Sequence, residues 1–200
     1  MRAKNIPIYY VVIAVLSLLS YFYADLALTL YFQQYKNTLV YDIFKIITEF
    51  GRAEYQIIPA LLVYIVFRKS NPFVAKIGLA VILSVALAGL SIDVVKFLVG
   101  RYRPSMYFSD QLYGFAFFEY TYHKVSFPSG HSGTAFGAMG LLSLVFKRFR
   151  LFFLTIGSVV AFSRIPTLHH YISDVLIGST FGMASSIFIY NRMKLFEGKK

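Results

Sequence analysis

The chain is dominated by long apolar blocks. Residues 7–32, 73–100 and 171–190 are each mostly apolar and at least as long as a membrane crossing requires, since a bilayer core about 30 Å thick needs about 20 helical residues. Only 14% of all residues are charged, whereas soluble domains average about a quarter. The sequence therefore predicts an integral membrane protein.

Three shorter blocks complete the predicted fold. Residues 55–67, 129–146 and 151–163 are apolar but short, so each helix must use polar flanking residues, tilt, or end inside the protein. We expect an all-α fold, a bundle of six transmembrane helices, in a single membrane-embedded domain over residues 1–200. No linker, repeat or low-complexity segment divides the chain.

Residues 37–52 predict one further helix. Their apolar residues recur at helical spacing, with Asp42, Lys45 and Glu49 on the opposite side. Such a pattern is typical of an amphipathic helix that lies in a membrane interface, and we expect this helix at the outer surface.

The basic residues predict the orientation. With six spans and a retained first helix, the cytoplasmic side receives the denser set, namely Arg2, Lys4, Arg68, Lys69, Lys76, Lys147, Arg148, Arg150, Arg192, Lys194, Lys199 and Lys200. We therefore expect both termini in the cytoplasm. The net charge of +11 then reflects topology and contact with anionic membrane lipids, and no nucleic-acid partner is expected. The lack of cysteine excludes disulfides, thiol catalysis and Cys-ligated zinc.

Unusual polar residues concentrate at three places that six alternating helices bring to the outer face. These are residues 96–104 (KFLVGRYRP), residues 128–131 (PSGH) and residues 163–174 (SRIPTLHHYISD). Ionisable groups at membrane depth are costly and indicate function. Lys96, Arg103 and Arg164 would repel one another, so their convergence predicts a bound anion, and guanidinium groups match phosphate oxygens. Any one of these cations alone is equally explained by a side chain that extends to the interface.

The segment PSGH fits the start of a helix that binds an anion. Pro128 suits helix entry, Ser129 can cap the helix, and Gly130 lets the backbone approach a ligand. The free N–H groups of the first turn would then face the anion, and His131 stands in that turn. The small residues that follow predict close helix packing.

His170 and Asp174 are four residues apart at the predicted start of the last helix, hence on one helical face. A carboxylate in that position can accept the proton of one ring nitrogen and leave the other nitrogen free to attack phosphorus. This pairing favours a nucleophilic role for His170.

The three motifs together resemble the type 2 phosphatidic acid phosphatase superfamily, which also includes non-specific acid phosphatases and vanadium haloperoxidases. The motifs are Lys-x6-Arg-Pro (residues 96–104), Pro-Ser-Gly-His (128–131) and Ser-Arg-x5-His-x3-Asp (163–174). The resemblance implies a membrane lipid phosphatase in which His170 forms a phosphohistidine, Asp174 orients it, and His131 acts as acid and base. It also implies that five groups hold the phosphoryl oxygens: Lys96, Arg103, Ser129, Gly130 and Arg164. No metal or other cofactor is implied.

Some positions depart from the family pattern or fall outside it. Pro166 and Leu168 stand where an aromatic residue and a glycine are common, and Ile172 replaces a common proline. His169 and His123 are interpreted as interfacial or hydrogen-bonding residues. Arg101 either assists the site or faces lipid phosphates, Asp93 is placed to pair with Lys96, and Asp25 has no evident partner.

Substrate and reaction stay open at this level. The expected substrate is a lipid phosphate monoester or diphosphate: undecaprenyl diphosphate, phosphatidylglycerophosphate, phosphatidic acid or a lipid A phosphate. A lipid phosphotransferase with the same phosphohistidine is an alternative, as is a non-enzymatic protein that binds or transports lipids or anions. A haloperoxidase is disfavoured because that branch is soluble. Oligomeric state is not indicated.

Overall fold

The computed structural model describes residues 6–195, and within that range every regular element is helical. The terminal cations Arg2, Lys4, Lys199 and Lys200, on which part of the orientation prediction rests, lie outside the described residues. Two short 3₁₀ turns, Tyr122–Lys124 and Lys147–Phe149, accompany the α-helices. The α-helices are α1 (Ile6–Tyr23), α2 (Asp25–Gln33), α3 (Leu39–Glu49), α4 (Ala53–Phe67), α5 (Pro72–Val99), α6 (Pro104–Asp110), α7 (Gly130–Val145), α8 (Arg150–Phe162) and α9 (Ile172–Arg192).

The first apolar block is not one continuous helix, contrary to the prediction of a single helix over residues 7–32. It breaks at Ala24 into α1 and α2, which are bent by 58°. Asp25 begins α2 and is buried, with 1% exposure. A carboxylate cannot be left facing lipid, and the bend accompanies its insertion into the protein among hydrogen-bond donors.

Between two and four membrane spans follow from helix length and composition. Within residues 6–195, α5 and α9 are each long and apolar enough to cross a bilayer, and the bent pairs α1–α2 and α3–α4 pass the same test when each is taken as one span. Helices α7 and α8 begin and end close to the predicted limits but have only 16 and 13 residues.

The centre of the molecule is formed by α5, α7 and α9, which approach each other through small residues. Ser84 of α5 and Ser186 of α9 both donate hydrogen bonds to the carbonyl of Gly137 in α7, at 2.7 and 3.0 Å. A Cβ atom at Gly182 would overlap the backbone of α7. The prediction that the small residues after His131 serve helix packing is therefore confirmed.

Helix α3 forms where the amphipathic pattern predicted it. Its apolar residues Leu39, Ile43 and Ile46 are exposed, whereas Thr48 is buried. Thr48 faces the segment between α8 and α9, so α3 contributes one wall of the polar centre described next.

Candidate active site

The turn that begins α7 is built as a helix N-terminus. Ser129 is fully buried, and its Oγ accepts hydrogen bonds from the backbone N (3.4 Å) and the hydroxyl (2.8 Å) of Ser132. The Ser129 hydroxyl proton stays available for donation. The predicted cap is therefore confirmed, and the N–H groups of Gly130 and His131 have no acceptor within the helix.

His170 and Asp174 are adjacent, but their geometry differs from the prediction. His170 does not lie on a helical face, because α9 begins only at Ile172 and His170 belongs to the preceding loop. Its Nδ1 nevertheless lies 3.5 Å from Oδ2 of Asp174 and 3.4 Å from the hydroxyl of Ser126. Asp174 is fixed from its own helix, since the backbone N of Tyr171 donates to Oδ2 at 3.0 Å.

The other ring nitrogen of His170 faces a cation. Nη1 of Arg103 lies 3.5 Å from Nε2 of His170 and donates to the carbonyl of His169 at 3.1 Å. Nε of Arg103 donates to the carbonyl of Tyr122 at 2.7 Å. Arg103 is thereby held at the nitrogen that is not turned toward Asp174.

Lys96 and Arg164 complete the cationic set. A Cβ atom at Gly130 would lie 3.3 Å from Nζ of Lys96, so the lysine reaches the start of α7. Nζ of Lys96 also lies 3.9 Å from Oδ1 of the exposed Asp93, as the sequence suggested. Nη1 of Arg164 donates to Thr48 at 2.6 Å, while its buried Nε has no hydrogen-bond partner among the described residues.

The site carries an excess of positive charge. Arg103 and Arg164 both repel Lys96, and burial together with the charge of Arg103 lowers the pKa of Arg164 to about 10. Burial and Arg103 also lower the pKa of His170 well below its usual range, against the opposing effect of Asp174. A neutral imidazole beside unpaired cations is suited to attack an anionic phosphoryl group.

His131 stands at the edge of this set. Gly51, in the turn between α3 and α4, lies so close that a Cβ there would be 2.9 Å from Cβ of His131. The hydroxyl of Thr134 donates to the Gly51 carbonyl at 2.5 Å. The α3–α4 turn therefore fixes the backbone that carries His131.

A cavity of about 230 Å³ is lined by one of these cations, Arg103, and by His169. The exposed Lys36 and His123 and the half-buried Tyr41 also line it. His123 is exposed, as expected of an interfacial residue. The cavity gives a small polar group access to the guanidinium of Arg103.

Sequence reasoning missed the partners of Asp174. Arg101 is fully buried and donates through Nη1 to Asp174 and through Nη2 to Asp25, the latter at 2.7 Å. It therefore does not face lipid phosphates, and Asp25 does have a partner. A single carboxylate inside the apolar block of residues 7–32 was the signal that could have predicted such a pairing.

Metal ligands are not grouped in the part of the chain that the structure describes. Within residues 6–195, no cluster of three or more His, Cys, Asp or Glu side chains is placed to hold a metal ion. The metal-independent mechanism implied by the motifs stays a prediction.

Solved structures share this fold. The crystal structure of a transmembrane PAP2-type phosphatidylglycerolphosphate phosphatase from Bacillus subtilis superposes with a TM-score of 0.70, at 19% identity, over 96% of both chains. That of Aquifex aeolicus LpxE gives a TM-score of 0.57 at 20% identity, over 84% of this chain and 94% of that one. These values establish similarity of fold.

Sequence comparison reaches the same group. Two proteins named lipid A 1-phosphatase match 55% of this chain, one from Rhizobium johnstonii at 33% identity and one from Rhizobium etli at 35%. The chain spans about half the length of these relatives, 45% and 47% respectively. The family model of the PAP2 superfamily matches residues 77–196, which contain all three motifs. The chain therefore belongs to the PAP2 superfamily, the type 2 phosphatidic acid phosphatases that its motifs resemble.

Proposed function

We propose that this chain hydrolyses a lipid phosphate monoester or diphosphate through a phosphohistidine on His170, without a metal ion. The observation that carries the proposal is the orientation of the His170 ring. Nδ1 faces Asp174 at 3.5 Å, and Nε2 faces Arg103 at 3.5 Å. The free lone pair therefore points toward the cations that would hold a phosphoryl group.

In the first step, Nε2 of His170 attacks phosphorus while the bond from phosphorus to the leaving oxygen breaks. Protonated His131 gives its proton to that oxygen. In the second step, water attacks phosphorus, the P–N bond breaks, and His131 takes a proton from the water. Inorganic phosphate leaves, and His170 is neutral again. Lys96, Arg103, Arg164, the Ser129 hydroxyl and the Gly130 amide would stabilise the phosphoryl charge in both steps.

The protonation of His131 depends on the substrate in this scheme. Lys96, Arg103 and Arg164 have the same charge as a protonated His131 and would repel it. An anionic phosphoryl group between them offsets that repulsion. The acid would therefore form when the substrate is bound.

The lipid tail would lie between helices. An apolar groove of about 470 Å³ is formed by α4, α5 and α7 and runs from Phe50 and Gln56 to Phe73 and Phe146. Phe50 immediately precedes Gly51, the residue packed against His131. A chain lying in this groove would have its head group beside the site.

The relatives suggest which lipid to test first, and we propose it on that basis. The two relatives named lipid A 1-phosphatase make a lipid A 1-phosphate the first candidate. The other candidates are phosphatidylglycerophosphate, phosphatidic acid and undecaprenyl diphosphate. A lipid phosphotransferase would use the same first step but pass the phosphoryl group to a second lipid.

We further propose six spans, with α1–α2, α4, α5, α7, α8 and α9 crossing a bacterial inner membrane, α3 at its outer interface, and both termini in the cytoplasm. The active site then faces the periplasm. Because the chain has no cysteine, single cysteines at the exposed positions Ser70 and Tyr120 report each side cleanly. An impermeant maleimide applied from outside should label Tyr120→Cys but not Ser70→Cys. Labelling of only Ser70→Cys would show that the orientation is the opposite of the proposed one.

The proposed activity is tested by phosphate release from a panel of purified lipid phosphates in detergent. We expect release from at least one lipid and none with His170→Ala, whereas His123→Ala, which removes the same ring from the cavity lining, retains most of it. Trapping in alkaline detergent should show one phosphoryl group on His170, and an added lipid acceptor distinguishes transfer from hydrolysis. Full release by His170→Ala from every lipid would refute the mechanism. Lipid binding without release would favour the non-enzymatic alternative.

A further inference from the structure

We infer that Arg101 and Asp25 are positioning residues: Arg101 keeps Asp174 ionised, and Asp25 holds Arg101 and Ser173 in the place that orients Asp174 toward His170. The inference rests on the proposed role of His170 as nucleophile. Both residues are hydrogen-bonded to Asp174 or to its neighbour Ser173, and no hydrogen bond joins either of them to His170 within the described residues. Their effect on the reaction would pass entirely through Asp174.

Arg101 joins two carboxylates that come from distant parts of the chain. Its Nη1 donates to Oδ1 of Asp174 and to the Ser173 hydroxyl, the latter at 2.7 Å. Its Nη2 donates to Oδ2 of Asp25 at 2.7 Å and to the Tyr113 hydroxyl at 3.1 Å. The oxygen of Asp174 that it occupies is not the one that faces His170, so Oδ2 stays directed at the ring.

Asp25 is itself anchored to the start of α9. Its Oδ1 accepts from the backbone N of Ser173 at 3.0 Å, and its Oδ2 accepts from the Ser173 hydroxyl at 2.5 Å. Ser173 immediately precedes Asp174. The bend at Ala24 thus brings a carboxylate from the first apolar block against the backbone that carries the partner of His170.

The charges explain why Arg101 lies between the two carboxylates. Two carboxylates without a cation between them cannot both stay ionised in a buried site. Burial disfavours the charge of Arg101, but Asp174 and Asp25 outweigh this and raise the pKa of its guanidinium. The three groups together carry one net negative charge, which would stabilise a positively charged phosphohistidine.

Aromatic rings enclose the guanidinium. The rings of Tyr171, Tyr21, Tyr113 and Phe115 have their centroids 4.3, 5.0, 5.3 and 5.6 Å from its central carbon. Arginine can stack on such rings and bind two carboxylates at once, whereas lysine offers one charged nitrogen. Arg101→Lys is therefore expected to restore little of the activity lost in Arg101→Ala.

Asp25 lies outside residues 77–196, which match the family model, whereas Arg101 and Asp174 lie inside them. The support for Asp174 therefore includes a residue supplied by the N-terminal helix pair. A chain that lacked this carboxylate would carry a net neutral pair at the same place.

The test compares Asp25→Asn with Asp42→Asn, the same exchange at an exposed carboxylate of α3. Turnover is normalised to active sites counted by vanadate binding. In metal sites, removal of the outer partners that orient the ligands typically costs about 10–100-fold in activity. We expect Asp25→Asn to lose about that factor in kcat with KM changed by less than about threefold, and Asp42→Asn to match the wild type.

Side-chain ¹⁵N NMR of the histidines provides a second readout that does not depend on activity. We expect His170 to carry its proton on Nδ1 in the wild type, and to populate both tautomers in Asp25→Asn. If the tautomer and the normalised kcat are both unchanged, the positioning role is refuted. If only the number of vanadate sites falls, Asp25 is structural, and the inference is also wrong.

Two further controls keep the outcomes separate. If Asp25→Asn cannot be purified, Ser173→Ala removes a hydroxyl that bridges Asp25 and Arg101 while their direct ion pair stays, and a smaller change of the same tautomer population is expected. If the wild type releases no phosphate from any lipid, the proposed function fails, while the tautomer comparison still decides the role of Asp25.

Discussion

Gly178 of α9 lies directly against the turn that begins α7, and it provides a way to disturb the site without changing a charge. A Cβ at Gly178 would lie 3.1 Å from both the carbonyl carbon and the nitrogen of Ser129, and closer still to the carbonyl oxygen. Non-bonded carbon atoms prefer separations of about 3.5–4.0 Å. In Gly178→Ala, therefore, Ser129 and the first turn of α7 must retreat by roughly 1 Å.

The expected magnitude follows from that displacement. A misplacement of about 1 Å in a group that positions the substrate can cost about 100-fold in rate, and overpacking in a dense core costs about 1–3 kcal/mol of stability. The backbone N of Ser129 also donates to the carbonyl of Asp174 at 3.0 Å. The same shift would therefore loosen the contact between the start of α7 and the helix that carries Asp174. We expect Gly178→Ala to fold but to lose about 100-fold in kcat/KM.

The assay is phosphate release from the best lipid of the panel, in parallel with thermal unfolding in detergent. Gly89→Ala in α5 is the matched control, because a Cβ there meets nothing within 4 Å, and it should keep full activity. Full activity of a well-folded Gly178→Ala would show that the start of α7 does not need its present position. The proposed role of Ser129 and Gly130 in holding the phosphoryl group would then be wrong.

Three further results are expected. Asp174→Asn should lower turnover by at least about 100-fold and weaken binding far less, since the tautomer of His170 and its positive form lose support; unchanged turnover would remove Asp174 from its role. Orthovanadate should inhibit and chelators should not, and a strong loss of activity in chelator would overturn the metal-free mechanism. Thermal stability should fall as the pH drops from about 6.5 toward 4, because burial and the charges of Arg164 and Arg103 lower the pKa of His169 to about 4. In this pH range the unfolded chain binds a proton that the folded chain excludes, so the free energy of unfolding changes by up to about 1.4 kcal/mol per pH unit. The variant His169→Gln should reduce this slope. An equal slope in that variant would contradict the assignment.

The meeting of the three motifs could be predicted because it depends on helix ends. Hydropathy predicts the ends of each apolar block to within a few residues. The alternating direction of successive helices then decides which of these ends lie together. The structure brings Lys96 to the start of α7 and Arg103 to His170 in agreement with that logic. Charge repulsion then predicts an anion without any knowledge of side-chain contacts.

The break at Ala24 could not be predicted in the same way. Residues 7–32 contain no proline or glycine after Pro7, and the backbone hydrogen bonds continue across the bend, as from Leu28 to Ala24 at 2.9 Å. The bend coincides with tertiary contacts of Asp25, which depend on where Ser173 and Arg101 lie. A pattern of hydropathy along one segment contains no information about such distant partners.

Leu168 shows another limit of sequence patterns. It stands where related membrane proteins often have glycine, and its backbone has φ = +57°, in the left-handed region that favours glycine. The loop before His170 thus keeps a turn suited to glycine while using a residue for which that turn is costly. A comparison of residue types alone suggested a departure from the family pattern at this place, whereas the backbone has a conformation that glycine adopts easily.

The two charge clusters of the site have opposite tasks, and their separation is a property of the fold. Lys96, Arg103 and Arg164 form a set of cations with no matching buried carboxylate among the described residues, apart from Asp174 behind the His170 ring. Arg101 comes just after α5, the helix that contains Lys96, and is instead neutralised by Asp25 and Asp174. His170 stands between the clusters, with one nitrogen toward each. In the proposed mechanism, an attack by Nε2 would move negative charge into the first cluster and leave positive charge on the ring beside the second, so groups already in place would stabilise both changes in charge.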